Sequence, residues 1–318
     1  MRNITIFIIL LLFVATNALA QRFDYPEISG KPGFNLIDSK PNAIKVKFAV
    51  PSFSLEDQEV EGIPMKYISL PGTFLFNDEG MPNLPGKGNY FAIPQGSTPQ
   101  YRIVSQVTEV IHNVEIVPAP RVPLDNDNRP VEYKRNMQVY SKNAFYPASP
   151  VIMSEVSQIR GVDAVILGIT PFQYNPVTKD LVVYKNIEVE LTFQGGTGIF
   201  GNDAFRSTWW DGILQDNLLN YSSLPAIDYN ARMQAYGKTP LTNECEYIII
   251  SPTGPDFLAW ADSIKKFRTE QGINTKIFTL PEVGGNTVAA IEGFIDNAYN
   301  TWTIKPVACL LLGDYGSE

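Results

Sequence analysis

Two cysteines, Cys245 and Cys309, and one histidine, His112, are the only side chains in these 318 residues from which a thiol–imidazole pair could be assembled. Such a pair does nucleophilic chemistry when the thiol ionises and the imidazole sits close enough to pair with it and carry its proton. His112 lies inside a strand-like run far from either cysteine in sequence, and Cys309 lies within the apolar run Val307–Leu312 rather than at its end. No catalytic residue is therefore assigned, and His112 reads as an ordinary strand residue. Cys245 and Cys309 read either as inert thiols, Cys309 buried on a core strand and Cys245 partly exposed, or as a disulfide if their strands are neighbours. Two cysteines without geometry specify no bond.

Carboxylates that could hold a cation are equally sparse. The run Asp125-Asn126-Asp127-Asn128 has the acidic opening of a calcium loop but lacks the glycine and distal glutamate of that pattern, so it reads as a polar turn and no metal is assigned. Asp314 follows Gly313 at the end of an apolar run. If that run is a strand of an open α/β sheet, Asp314 stands at the carboxyl edge, where ligands bind, and is a possible substrate or ion site. It reads equally well as a cap for a following helix.

The elements that must position these residues come in two blocks. In the second block, Tyr247–Ile250 is a short apolar run expected as a buried strand. Phe257, Trp260, Ala261, Ile264 and Phe267 then recur at helical spacing, with Gly272 placed to end the helix. Asn274–Leu280 reads as a second strand. Asn286 or Thr287 can cap a second helix with Val288, Ile291, Ile295, Ala298 and Tyr299 as its apolar stripe, and Val307–Leu312 is a third strand. The pattern predicts βαβαβ, and a 2-1-3 strand order would make the first and third strands, and with them the two cysteines, neighbours.

The first block, from 21 to about 195, alternates in the manner of half-buried strands. Val46, Phe48 and Val50 form one such set; Ile187, Val189, Leu191 and Phe193 form another. The turn residues of Tyr174–Asp180 predict a hairpin between Ile166–Ile169 and Leu181–Tyr184. The run from Arg102 to Val117 is expected as the longest strand or as a bulged pair. Many short strands broken by Pro and Gly imply an antiparallel sandwich. Gly195-Gly-Thr-Gly198 closes the block. Phe205, Trp209, Trp210, Ile213, Leu214 and Leu218 then suggest a short helix packed on the sandwich or on the second block. Ser222–Glu244 has no period, contains Pro225, Gly237 and Pro240, and reads as a linker.

Several of these segments carry a family resemblance. The Tyr247–Ile250 strand, the helix ending in Lys265-Lys-Phe-Arg-Thr-Glu-Gln-Gly272, and Pro306-Val-Ala-Cys-Leu-Leu-Leu-Gly-Asp314 together resemble the start of the gingipain-like cysteine peptidases of family C25, whose fold is related to that of caspases. Gly80-Met-Pro-Asn-Leu-Pro85, Asn143-Ala-Phe-Tyr-Pro147, Arg160-Gly161 and Pro171-Phe-Gln-Tyr-Asn-Pro176 resemble the propeptide that precedes that domain. The implied organisation is a signal peptide over 1–20, a β-rich propeptide over 21–221, a linker over 222–244 and the first part of a caspase-like α/β domain over 245–318. The resemblance implies an endopeptidase precursor whose propeptide inhibits it or aids its folding, with the catalytic His and Cys following the segment seen here. It also implies calcium as a possible ligand of the complete catalytic domain, with no other cofactor. Relatives of trypsin-like specificity cut their own linkers after basic residues, which points to Arg232 and Met233 as the processing site. The competing readings are a non-catalytic β-sandwich adhesin or binding module, and a C25-type cell-surface sortase.

Composition narrows the partners. A formal charge of −8, with no basic cluster longer than a pair, argues against nucleic acid or an anionic membrane. Arg2, the apolar run Ile4–Val14 and Ala18-Leu-Ala20 have the form of a signal peptide cut between Ala20 and Gln21, so the chain is expected to be secreted or held at the cell surface.

Overall fold

The computed structural model describes residues 20–73, 77–122, 131–207, 210–229, 231 and 243–313. The first part runs β1 (Gln21–Asp24), β2 (Gly33–Lys40), β3 (Ala43–Ala49), β4 (Ser52–Val60), β5 (Ile63–Ser69), β6 (Lys87–Ala92), β7 (Ser97–Ile111), α1 (Met137–Tyr140), β8 (Val151–Met153), β9 (Ser157–Ile159), β10 (Val162–Ile169), β11 (Phe172–Asn175) and β12 (Asp180–Gly195). A short helix α2 (Asp211–Asn217) follows. The second part runs β13 (Tyr247–Ser251), α3 (Pro255–Glu270), β14 (Thr275–Thr279), α4 (Val288–Thr301) and β15 (Ala308–Leu311).

Antiparallel pairing builds three sheets in the first part, β1-β4-β5, β6-β10-β8 with β9 on β10, and β11-β12-β3-β2 with β7 on β12. All three contribute side chains to one apolar core. The alternation read from the sequence sets the central pairing: Ile187 lies opposite Phe48, Val189 opposite Val46 and Leu191 opposite Ile44, all buried. Glu188 and Glu190 face the other way, opposite Lys47 and Lys45. Like positions share a face because strand side chains have period two, so the same register that buries the apolar set pairs the opposite charges. Phe53 on β4 meets Phe172 on β11 edge-on with ring centroids 5.2 Å apart, joining two sheets through the core.

Two details differ from the sequence reading. The expected hairpin forms between β11 and β12, with Tyr174 opposite Leu181, while Ile166–Ile169 belongs to β10 in another sheet. Thr170-Pro171 explains the change, because proline cannot donate to a ladder and the strand leaves its sheet there. The longest strand is β12, at 16 residues; β7 has 15 and carries register shifts against it.

In the second part the three strands are parallel, in the order β14-β13-β15, the 2-1-3 arrangement that sets the first and third strands side by side. Ile248, Ile250 and Phe278 pack with Ala298, Ile291, Phe294 and Trp302. Gly272, at φ 82°, ends α3: its N–H and that of Ile273 return to the carbonyls of Thr269 and Arg268 at 2.8 and 3.0 Å. Thr287 caps α4 through a 3.2 Å bond from the Ala290 N–H. The expected apolar stripes are only partly buried. Trp260 is 67% exposed, Val288 81% and Leu311 58%. Helical spacing shows which residues share a face but not what covers that face; here no described element lies over these positions. Among the described residues no helix is long and apolar enough to cross a membrane.

Candidate functional site

The two blocks have separate cores but touch, and they touch at the turn between β9 and β10. Arg160 and Gly161 form that turn with φ of 51° and 75°. The Arg160 guanidinium lies 4.4 Å above the Trp210 ring, and its Nη1 donates to the Val307 carbonyl at 2.6 Å, just ahead of β15. Burial pulls the Arg160 guanidinium below its ordinary value, which its π contact and carbonyl acceptor accompany. Beside it Phe205 stacks on Tyr299 of α4, centroids 4.7 Å apart and planes 27° from parallel. The Lys305 ammonium lies 5.8 Å from the Phe205 ring. Phe205 can sit this low only because residue 161 is glycine: a Cβ there would come within 2.6 Å of the Phe205 Cβ.

The contact leaves a cleft of about 340 Å³, walled by Gln158, Arg160 and Phe205 on one side and by Ile295, Tyr299 and Cys309 on the other. Sequence reading used Arg160-Gly161 only as a propeptide-like segment, with no contact assigned to it, and placed Phe205 on a helix. Phe205 instead ends a single 3-10 turn over 203–205, and α2 starts only at Asp211. Leu214 and Leu218 enter the β core, so the segment after β12 packs on both blocks at once.

Both thiols are free. Cys245 is fully buried and Cys309 exposed, the reverse of the inert-thiol reading. Cys245 sits beneath α4 among Ile248 and Phe278, whereas Cys309 is on β15, one of the two outer strands of the described sheet. Its register partner on β13 is Ile248, three positions along from Cys245, so the two cysteines are not cross-strand neighbours despite the adjacency of their strands. Burial pushes the Cys245 thiol up to about 12 and raises that of Cys309 as well, the direction opposite to that of a nucleophilic thiolate. His112 is in the β block, where its Nδ1 lies 2.6 Å from Asp180; hydrogen bonds from His112 and Thr178 hold the Asp180 carboxyl below its usual range. The described geometry brings His112 to neither thiol's surroundings.

Among the described residues no three His, Cys, Asp or Glu side chains converge as a metal site. Asp314, Arg232, Met233 and the run 125–128 lie outside the described residues. Ala20, exposed, directly precedes β1 at Gln21. At the two ends of the expected linker the chain is already fastened. Leu224 is buried in the β core and the Pro225 carbonyl accepts from Arg206 Nη1 at 2.5 Å. The Glu244 carboxylate accepts from the N–H groups of Thr303 and Ile304 at 2.8 and 2.9 Å.

A β-rich domain is thus seated on the first strands of a parallel α/β unit. The chain belongs to peptidase family C25 as a gingipain-like precursor: the family's propeptide model, Propeptide_C25, matches residues 25–222, and the Peptidase family C25 model matches residues 241–318. Lys-gingipain HG66 of Porphyromonas gingivalis is 24% identical over 283 residues, covering 84% of this chain and 16% of the relative. Gingipain R1 of the same organism is 23% identical over 295 residues, covering 91% of this chain and 28% of the relative. The chain thus spans less than a third of the length of these relatives. Among solved structures, the complex of Porphyromonas gingivalis RgpB pro- and mature domains is similar in fold, with a TM-score of 0.54 at 22% identity over 61% of this chain and 99% of the matched one.

Proposed function

We propose that residues 21–221 act as the inhibitory propeptide of a secreted cysteine endopeptidase whose α/β domain begins at 245. The observation that carries this reading is the seating of the β domain on that unit through Arg160 and Phe205. An inhibitor that must cover its enzyme needs a fold of its own, and the core of the β block is drawn from residues between Tyr25 and Leu224, with none from the α/β unit. The related complex named above is one of pro- and mature domains. The propeptide match over 25–222 favours the precursor reading over the adhesin and sortase readings. Export removes the signal peptide between Ala20 and Gln21, and calcium, if any cation serves the complete enzyme, belongs to the catalytic domain. The test is inhibition. Isolated residues 21–235, added to mature peptidase produced from the full reading frame, are expected to slow hydrolysis of peptide substrates; full activity at micromolar excess overturns the proposal.

Maturation is proposed to cut between Arg232 and Met233. Between the fastened residues Pro225 and Glu244, Arg232 and Lys238 are the only basic residues, and Lys238 is followed closely by Pro240, which restricts the backbone a protease must extend. N-terminal sequencing of the matured protein is expected to begin at Met233. A start before Ser222 or after Tyr247 rules the assignment out.

A further inference from the structure

We infer that Arg160 and Phe205 form a two-point docking key by which the β domain stays on the α/β domain once the linker is cut, and that Tyr299 and Lys305 make the key selective for this partner. The inference rests on the propeptide reading above and adds the residues that hold the pair together. The two points recognise different things. Arg160 donates to a main-chain carbonyl, that of Val307, so this grip depends on backbone position and tolerates any side chain there. Phe205 meets side chains: its face stacks on Tyr299, and the Lys305 ammonium approaches the same ring. An aromatic stack with a nearby cation is lost when the partner has other residues at these two places, whereas the carbonyl grip survives. Both points are pre-positioned from the β domain's side. Trp210 underlies the Arg160 guanidinium, and the Cβ-less Gly161 lets Phe205 lie flat against the turn. Pre-positioning lowers the ordering cost of association, which is what a small non-covalent contact needs.

The experiment uses the 318-residue chain with a site-specific protease sequence replacing residues 233–239. After nicking, the halves are expected to co-elute at micromolar concentration, and dilution monitored by fluorescence anisotropy gives their dissociation constant. Arg160→Asn is the test of the first point, since asparagine tolerates the positive φ of this turn while removing the guanidinium. Phe205→Ala and Tyr299→Ala test the second. Each is expected to weaken association by about tenfold or more, as anchor residues of an interface do. Phe205→Ala and Tyr299→Ala together are expected to cost little more than either alone, the signature of a direct contact. Arg22→Ala, on the exposed β1, is the control and is expected to change nothing. Wild-type halves that separate as readily as the variants, or variants with unchanged melting and unchanged association, overturn the key. Inhibition by residues 21–235 distinguishes the two proposals. If that segment inhibits equally well with Arg160→Asn and Phe205→Ala, the key fails and the propeptide reading stands. If the key behaves as expected but the segment does not inhibit, the reverse holds.

Discussion

Arg206→Ala is expected to lower the unfolding free energy of the β domain by about 3–5 kcal/mol, the usual cost of leaving one member of a buried ion pair alone. The Arg206 side chain is 3% exposed and Asp211 is 13% exposed. Arg206 Nε and Nη2 each donate to Asp211 at 3.0 Å in a two-pronged bond, Nη1 donates to the Pro225 carbonyl, and Tyr221 donates its hydroxyl to Asp211 at 2.6 Å. Removing the guanidinium strands a carboxylate that water reaches poorly and frees the carbonyl that ties down the end of the domain. Urea unfolding followed by tryptophan fluorescence measures the loss. A cost below about 1 kcal/mol would place the pair among surface ion pairs, whose worth is small. The pH dependence has a definite sign. Burial alone would raise the Asp211 carboxyl, but its bonds to Arg206 and Tyr221 outweigh that and hold it below the carboxylate range. Its contribution is therefore present above about pH 4, the unfolded value, and is lost as pH falls through the lower folded value. The gap between wild type and Arg206→Ala is expected to narrow in acid.

Asn220→Ala is expected to cost about 2–4 kcal/mol, because two backbone groups lose their partners in a place closed to water. Asn220 is fully buried. Its Oδ1 accepts from the Ala92 N–H at 2.8 Å and its Nδ2 donates to the Ala92 carbonyl at 3.0 Å. One residue pair earlier, the Leu219 N–H donates to the Tyr90 carbonyl at 3.0 Å, so residues 218–220 run along the edge of β6 and the amide side chain continues what backbone began. Amide hydrogen exchange makes the test specific: the Ala92 N–H is expected to lose protection in Asn220→Ala and keep much of it in Asn220→Asp, which retains the acceptor. Unchanged Ala92 protection in the alanine variant would show that another group satisfies it.

Arg206 and Asn220 were invisible to sequence reading, and the reason is physical. Period-two alternation is a local consequence of strand geometry, so Val46, Phe48, Ile187, Val189 and Leu191 declared their common face without any knowledge of their partners. Helix stripes and the Gly272 terminus are local in the same sense, and the order of strand, helix and strand after Tyr247 implied a parallel sheet because a crossover helix leaves few alternatives. Together with the segments that resemble a C25 precursor, those local signals were enough to fix the class of the protein. Burial of a polar group is not local. Asn220 reaches Ala92 and Arg160 reaches Val307 across 128 and 147 residues, separations at which no spacing rule operates. The same holds for exposure: the apolar faces of β15 and α3 mark Cys309 and Trp260 as residues to be covered, but spacing does not say by what, and no described element covers them. Sequence alone determined most of the elements and the faces of their strands and helices. Only the folded chain decided which faces meet, because that choice depends on surfaces brought together from distant parts of the chain.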